Sequence, residues 1–261
     1  MSLSTQETVS SRARPAGKLP FEVVPLTKHI GAEIRGLDLR QKPDDETVKA
    51  IYQAWLDHLV LIFPEQKLSQ EDLIRATGFF GTLGKISRPP KYFPKGYSSV
   101  LPGIMMISNI RENGEPIGAL PDGEMMFHHD MIHAEVPSKA TLLYSIEIPS
   151  AGGNTLFASG YAAYETLDPA IRSRLEGKKA VYVNRLMTVK VLDMPEEESD
   201  RLLNAVYDHA EKPEFVYEHA WRVGDLLLWD NRCSSHARTD FASTERRLMF
   251  RTTVDGNVRP Y

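Results

Sequence analysis

Cysteine is nearly absent from this chain, and the single residue of this type, Cys233, excludes a framework of internal disulfide bonds. Long apolar runs are absent as well, because no stretch approaches the roughly 20 residues that cross a bilayer, and we expect no membrane partner. Neither sign of charge is in large excess, since the formal net charge is −4 over 261 residues. Without a basic surplus we expect no nucleic-acid partner. These absences favour a globular protein that acts on small molecules.

The first nineteen residues are polar and lack the apolar core of a secretory signal. We therefore predict a disordered tail over residues 1–19, a single domain over 20–261 and a cytoplasmic location. The length and the 42% hydrophobic content are sufficient for one large core.

Apolar periodicity predicts a mixed β fold with flanking helices. Helical spacing is found over 44–58, 69–79 and 195–210, and Ser69 with Asp72 has the pattern of a capping box. Short apolar runs predict many strands, which cover residues 21–24, 34–37, 60–63, 141–148, 155–158, 215–221, 225–229 and 247–254.

Two histidines and one aspartate are candidates for a metal site. His128 and Asp130 are two positions apart, and residues i and i+2 of a strand point to the same side, so both can reach one ion while His129 points away. A third ligand must then come from another strand, and His236 is the candidate. Two imidazoles and one carboxylate hold non-haem Fe(II) and leave one face open. Loop residues without a metal and a hydrolytic zinc site are the alternatives.

Further motifs accompany this triplet in order along residues 20 to 255 and give the chain a resemblance. They are Val60-Leu61-Ile62-Phe63, Phe80-Gly81-Thr82-Leu83-Gly84, Ile107-Ser108-Asn109, Phe127-His128-His129-Asp130, Pro149-Ser150-Ala151-Gly152-Gly153-Asn154-Thr155, Glu214-Phe215-Val216-Tyr217, Gly224-Asp225-Leu226-Leu227-Leu228-Trp229-Asp230-Asn231-Arg232 and Arg247-Leu248-Met249-Phe250-Arg251. In these motifs the chain resembles the Fe(II)/2-oxoglutarate dioxygenases of the taurine dioxygenase and dichlorophenoxyacetate dioxygenase family.

The resemblance implies a double-stranded β-helix, or jelly roll, with Fe(II) as cofactor, 2-oxoglutarate as cosubstrate and O2 as oxidant. It implies that His128, Asp130 and His236 are the catalytic metal ligands. Thr155 and Arg247 match the residues that bind the far carboxylate of 2-oxoglutarate. The substrate-binding residues that it implies are Arg251, Lys85 and Asn109.

The substrate expected from the sequence is a small organic carboxylate, such as an aryloxyalkanoate, that the enzyme hydroxylates. Members that bind taurine have a histidine just after the Phe-Gly-x-Leu segment, where this chain has Gly84-Lys85, and an asparagine where it has Glu124. Lys85 and Arg251 suit a carboxylate, and the loop 89–94 with Met125, Met126 and Phe127 offers apolar wall material. Alternatives are a dioxygenase of taurine, alkylsulfonates or sulfate esters, and a catalytically inactive jelly roll that binds small molecules. A homo-oligomer is compatible with either class.

One segment departs from the family pattern. Members carry a few dozen residues between a Leu-Glu-Gly like that at 175–177 and a strand like that at 180–184, whereas here the two pieces nearly abut near 178–180. Either the segment has been lost, or it is a disordered active-site segment that this sequence omits, and we favour the second explanation.

Overall fold

The computed structural model describes residues 19–85, 100–120, 123–173 and 180–259. The predicted tail up to residue 18, the predicted wall loop 89–94 and residues 174–179 of the departing segment lie outside the described residues.

Most of the described chain is β structure. The strands are β1 (Glu22–Pro25), β2 (Ala32–Arg35), β3 (Val60–Phe63), β4 (Met105–Ser108), β5 (Arg111–Glu112), β6 (Glu115–Pro116), β7 (Met125–His128), β8 (Ala140–Glu147), β9 (Thr155–Ser159), β10 (Val216–His219), β11 (Leu226–Asp230), β12 (Ser234–Arg238) and β13 (Leu248–Val254). The helices are α1 (Asp45–His58), α2 (Gln70–Gly78), α3 (Gly160–Thr166), α4 (Pro169–Arg172) and α5 (Glu196–Ala210).

Two main sheets contain most of these strands. The large sheet has the order β1-β2-β3-β11-β8-β13-β4, and the small sheet has the order β10-β9-β12-β7. Strands distant in sequence are therefore neighbours, as in a jelly roll. The strands β5 and β6 form a separate hairpin.

The large sheet is buried on both faces, which explains the continuous apolar runs of its central strands. On β3, Leu61 and Phe63 belong to the core that this sheet forms with α1 and α2. The alternate residues Val60 and Ile62 belong to the core between the two sheets, where they join Phe157 of the small sheet. The functional side chains described below project into this second layer.

The helix predictions are confirmed. The helix α1 begins after Asp44, whose side chain accepts a hydrogen bond from the Thr47 backbone. The helix α2 has the predicted reciprocal capping box between Ser69 and Asp72. Both caps satisfy backbone N–H groups that have no partner within a helix.

The strand predictions were less complete. The strands β4, β7 and β12 carry no long apolar run and were not predicted from periodicity. The strand predicted over 215–221 is shorter, because a 3-10 turn occupies Pro213–Phe215 and β10 ends at His219. Within the described residues, none of the helices has the length and hydropathy that a membrane crossing needs.

We expect Leu142→Ala to lower the free energy of unfolding by about 2–5 kcal/mol, because it removes a fully buried side chain from the core under α1 and α2. The measurement is urea unfolding followed by circular dichroism. Leu56→Ala is the matched control, since Leu56 on α1 is 46% exposed, and its expected change is within about 0.5 kcal/mol. Equal losses in the two variants would contradict the placement of this core.

Candidate active site

The three residues predicted to bind a metal come together in the structure. One nitrogen or oxygen atom from each of His128, Asp130 and His236 lies within 4.8 Å of the other two, and all three residues are buried. The strand β12 pairs antiparallel with β7, with His236 directly opposite His128. Their ring centroids are 4.1 Å apart. The ladder between these two strands therefore sets the distance between the two imidazoles.

Asp130 reaches the cluster in a different way from the predicted one. The strand β7 ends at His128, so Asp130 lies in the turn that follows and does not continue the strand. The next residue, Met131, has a positive φ of 58°, which reverses the chain immediately after the carboxylate. The prediction that one strand carries both ligands was wrong, although the two side chains are close together as expected.

Hydrogen bonds orient the ligands. The carbonyl oxygen of Met126 lies 2.9 Å from Nδ1 of His128, which leaves Nε2 of that ring as the ligand atom. The Thr141 hydroxyl donates to Oδ2 of Asp130 over 2.8 Å, and the amide of Asn231 donates to the same hydroxyl oxygen over 2.8 Å. Supporting contacts of this kind fix the orientation of metal ligands.

The local charges keep two of the ligands in metal-binding form. Burial alone would raise the pKa of Asp130, but the electrostatic influence of Arg251, His236 and His128 and the hydrogen bond from the Thr141 hydroxyl lower it. Burial lowers the pKa of His236 well below its usual value, and repulsion from His128 adds to this. An ionised carboxylate and a neutral imidazole are the forms that metals bind.

His129 points away from the cluster, as predicted. It is 1% exposed, its Nδ1 lies 3.2 Å from the amide nitrogen of Asn184, and its ring packs against Tyr182. Burial and the neighbouring His128 lower the pKa of His129 to about 3. His129 is therefore a neutral group that ties the turn between two ligands to residues 182–184.

A cavity of about 600 Å³ opens beside the cluster, a size typical of small-molecule sites. Its polar lining consists of His128, His236, Thr155 and four arginines, and its apolar lining comes from both sheets and the hairpin. The lining residues are Met105, Ile107, Arg111, Pro116, Gly118, Ala119, Leu120, Met125, His128, Leu143, Thr155, Trp229, His236, Ala237, Arg238, Arg247 and Arg251. No carboxylate is among these lining residues, so the described wall of the cavity is strongly positive.

Arg247 is the most deeply buried of these arginines, with 2% exposure. Burial and then repulsion from Arg238 lower its pKa to about 9, so it remains charged at neutral pH. Its Nη2 donates a long hydrogen bond of 3.5 Å to the Gly153 carbonyl. Its Nε has no hydrogen-bond partner within the described part of the chain. A buried cation in this state is suited to an anionic ligand.

Asn109 lies behind this arginine and does not line the cavity. Its amide nitrogen donates to the Glu245 carbonyl over 2.8 Å, and its amide oxygen accepts from the Arg247 backbone N–H over 2.9 Å. Both ends of the side chain therefore hold the backbone on which Arg247 is carried. Asn109 is not among the residues that line the cavity, and its predicted role in substrate binding stays a prediction.

Two residues of the site were missed in the sequence. Arg238 is two residues after His236 on β12 and lines the cavity, directly opposite Thr155 in the ladder. The period of two in a strand could have revealed Arg238, because residues 236 and 238 lie on the same side of the strand. Trp221 donates a hydrogen bond from Nε1 to the Thr155 hydroxyl over 3.0 Å. No spacing rule in the sequence predicts that contact.

The predicted substrate-binding residues are divided between the cavity and the surface. Arg251 lines the cavity, and its guanidinium also forms an ion pair with Oδ1 of Asp130 over 3.4 Å. Lys85 and Glu124 are exposed and do not line the cavity. Of the predicted apolar wall, Met125 lines the cavity, whereas Met126 and Phe127 do not.

We expect His128→Ala, Asp130→Ala and His236→Ala each to abolish turnover with the fold intact. Each variant loses a metal ligand, so its affinity for Fe(II) or Mn(II) should fall by more than the roughly 10- to 100-fold that loss of a supporting contact costs. Anaerobic calorimetric titration measures the affinity, and circular dichroism checks the fold. His133→Ala is the control, because His133 is exposed. Metal affinity that is unchanged in any of the three variants would contradict its assignment as a ligand.

Comparisons with known proteins agree with this geometry. The model of the family described as "Taurine catabolism dioxygenase TauD, TfdA family" matches residues 22–189 and 175–253. The (S)-phenoxypropionate/alpha-ketoglutarate-dioxygenase of Sphingobium herbicidovorans is 26% identical over 285 residues, which cover 91% of this chain and 96% of that protein. Pentalenolactone F synthase of Streptomyces avermitilis is 30% identical, with 89% of this chain and 94% of that protein covered.

A solved structure shows the same fold. The crystal structure of a taurine dioxygenase from Burkholderia xenovorans superposes with a TM-score of 0.77 at 28% identity, and 92% of each chain is covered. The jelly-roll prediction is thereby confirmed, as are the predictions of an oxidoreductase that uses Fe(II), 2-oxoglutarate and O2. The chain belongs to the TauD, TfdA family of 2-oxoglutarate-dependent dioxygenases.

Proposed function

We propose that the enzyme hydroxylates a small organic carboxylate with an apolar body, such as an aryloxyalkanoate, and that the cavity beside His128, Asp130 and His236 is its active site. One O2 and one 2-oxoglutarate are consumed, and succinate, CO2 and the hydroxylated substrate are formed. Hydroxylation at a carbon next to an ether oxygen gives a hemiacetal, which collapses to an alcohol or phenol and a carbonyl product. The observation that carries the proposal is an acid-free, arginine-rich cavity wall adjoining a cluster of two histidines and one aspartate.

The donor set suits Fe(II). Two imidazole nitrogens and one carboxylate oxygen within 4.8 Å of one another match the ligand set that non-haem iron takes in oxygenases. When bound, the iron supplies oxygen activation coupled to the decarboxylation of 2-oxoglutarate. The protein contributes the orientation of the ligands, in which Thr141 and Asn231 hold the carboxylate of Asp130.

Arg247 and Thr155 bind the far carboxylate of 2-oxoglutarate in this proposal. The guanidinium supplies charge and a planar pair of donors, and the hydroxyl supplies a further donor. Both side chains line the cavity and both are buried, so little water competes for the carboxylate. Arg238, opposite Thr155, adds positive charge at the same end of the cavity.

The apolar lining then receives the body of the primary substrate. Met105, Ile107, Leu120 and Leu143 supply aliphatic surface, and Arg251 supplies a cation for the substrate's anionic group. The name of the Sphingobium relative, a phenoxypropionate dioxygenase, supports an aryloxyalkanoate. The exposed position of Lys85 gives no support to its predicted role, which stays a prediction.

The alternative substrates are taurine, alkylsulfonates and sulfate esters. A sulfonate would also be attracted by the arginines. Glu124 is exposed and does not line the cavity, so its carboxylate is not placed to repel a sulfonate there. The absence of a histidine at Gly84-Lys85 still favours a carboxylate. A zinc hydrolase could use the same three ligands but would not explain Arg247, Thr155 and the order of the motifs. An inactive binding module would normally have lost a metal ligand, and here all three are present.

Several other expectations stay predictions. They are the cytoplasmic location, a homo-oligomer, the absence of nucleic-acid and membrane partners, and the loss or omission of a segment near 178–180. A small anionic molecule is the one partner that the charge of the cavity supports.

We expect Arg247→Met to weaken 2-oxoglutarate binding by about 30-fold to several thousand-fold, since truncating one partner of a buried charge pair costs roughly 2–5 kcal/mol. Anaerobic calorimetry with the Mn(II) enzyme gives the affinity. Arg246→Met is the matched control, because Arg246 is exposed and pairs with Glu147 on the outside. An Arg247→Met variant that binds 2-oxoglutarate as tightly as the Arg246→Met control would show that another residue anchors the carboxylate.

The substrate class is tested by competition. We expect phenol from phenoxyacetate to form faster than sulfite from taurine when the two compounds are supplied at equal concentration with 2-oxoglutarate and Fe(II). Succinate release in single-substrate reactions gives the total turnover and serves as the control for uncoupled consumption of 2-oxoglutarate. Sulfite without phenol would overturn the carboxylate proposal in favour of the sulfonate alternative.

A further inference from the structure

The Thr155 hydroxyl has one of its acceptor positions already occupied. Trp221 donates to it from Nε1 over 3.0 Å, and both residues are buried. An indole N–H can only donate, whereas a hydroxyl donates once and accepts twice. The contact with Trp221 therefore consumes a lone pair of Thr155 and leaves its O–H free to donate to a ligand in the cavity that it lines.

Trp221 is in turn held by His219. The two rings meet edge to face, with centroids 4.8 Å apart and an angle of 89° between their planes. His219 is directly opposite Thr155 in the ladder of β10 and β9, so the two side chains share one face of the small sheet. The ring of His219 therefore limits rotation of the indole beside the hydroxyl.

His219 is itself fixed by a hydrogen bond on each ring nitrogen. The Tyr217 hydroxyl lies 3.0 Å from Nδ1, and Oδ2 of Asp225 lies 3.1 Å from Nε2. A neutral histidine meets both partners when Nδ1 accepts from the phenol and Nε2–H donates to the carboxylate. The same oxygen of Asp225 also accepts from the Arg222 backbone N–H over 3.0 Å.

The burial of Asp225 makes simple packing a poor explanation for this arrangement. Asp225 is 0% exposed and His219 is 3% exposed. Replacing a buried ionic or polar set by apolar side chains is often neutral or stabilising, so stability alone does not require it. A fixed orientation is what such a network provides, and the group at its end is the Thr155 hydroxyl.

We propose that Trp221, held by the hydrogen-bonded set of Tyr217, His219 and Asp225, is a positioning residue that keeps the Thr155 hydroxyl turned as a donor toward the far carboxylate of 2-oxoglutarate. This inference rests on the proposed role of Thr155 in cosubstrate binding. It assigns a function to three buried side chains (Trp221, His219 and Asp225) and to the partly buried Tyr217, all outside the metal cluster, and none of the four lines the cavity.

The test is a double-mutant cycle on the full chain. Trp221→Phe, Thr155→Val and the double variant are compared with the unaltered enzyme by anaerobic calorimetric titration of 2-oxoglutarate into the Mn(II) form. Losing one net hydrogen bond should weaken binding about 3- to 10-fold in each single variant. The double variant should bind no more weakly than Thr155→Val alone, because both changes remove the same interaction. The inference would be overturned if the losses of 2-oxoglutarate affinity in the two single variants added up in the double variant. It would also be overturned if Trp221→Phe bound 2-oxoglutarate as tightly as the unaltered enzyme.

Trp55→Phe is the matched control. Trp55 is fully buried in the core under α1, and its Nε1 has no partner in the described chain, so this variant loses an indole without touching the site. Its 2-oxoglutarate affinity should be unchanged. In steady state, Trp221→Phe should raise KM for 2-oxoglutarate and leave kcat at saturation nearly unchanged, a split that general loss of stability does not produce.

Asp225→Asn provides a second route if Trp221→Phe folds poorly. The neutral amide weakens the hydrogen bond that holds Nε2 of His219. We expect 2-oxoglutarate binding to become about 2- to 5-fold weaker, and this loss should be absent in the Thr155→Val background. Persistence of the full effect in that background would count against the chain of contacts. Failure of the unaltered enzyme to bind 2-oxoglutarate would instead refute the proposed function, so the two failures are distinguishable.

Discussion

The pairing of β12 with β7 is the interaction on which the site depends. It sets His236 opposite His128, and the same ladder continues through β9, where Phe157 lies opposite His236 and Thr155 lies opposite Arg238. One row of the small sheet therefore carries the two histidine ligands, and the row two residues along carries Thr155 and Arg238. The spacing between the two chemical functions is the spacing between residues of a strand, about 7 Å for two positions.

The second constraint is electrostatic. The fold buries Arg247 against the repulsion of Arg238 with no carboxylate in the described wall of the cavity. Such an arrangement costs folding free energy unless something compensates it. Among the described residues, Asp130 pairs with Arg251 and is held by Thr141. The buried Arg247, whose Nε has no partner in the described part of the chain, is suited to a bound anion, which fits an anionic cosubstrate.

The sequence predicted the parts of this site that follow a local rule. The helix caps, the apolar strands of the large sheet and the separation of His129 from His128 all follow from spacing. The resemblance supplied Thr155 and Arg247 and supported His236 as the third ligand, and no spacing rule connects these residues with His128. The strand β12 was not predicted because it is mainly polar and has no hydrophobic period, and β4 and β7 were not predicted because each is only four residues long.

Contacts between residues distant in sequence were beyond such reasoning. The bonds from Trp221 to Thr155 and from Asn109 to the Arg247 backbone join segments that only the folded sheets bring together. The turn at Asp130 was missed for a related reason. The His-His-Asp spacing fits a continuous strand, but it also fits a strand that ends at His128 and continues as a turn. The carboxylate of Asp130 has a different position in these two cases.

The contact between His129 and Asn184 has a consequence for protein engineering. His129 stands between two candidate ligands, and its ring is held by a side chain that lies only four residues after position 180. Grafting a longer loop between residues 173 and 180 is an obvious way to redesign substrate scope, because the family resemblance predicts additional residues there. Such a graft must leave Asn184 in place, because its side chain holds the ring of His129. If Asn184 shifts in register, the insertion would alter the geometry of the metal ligands before it altered the choice of substrate.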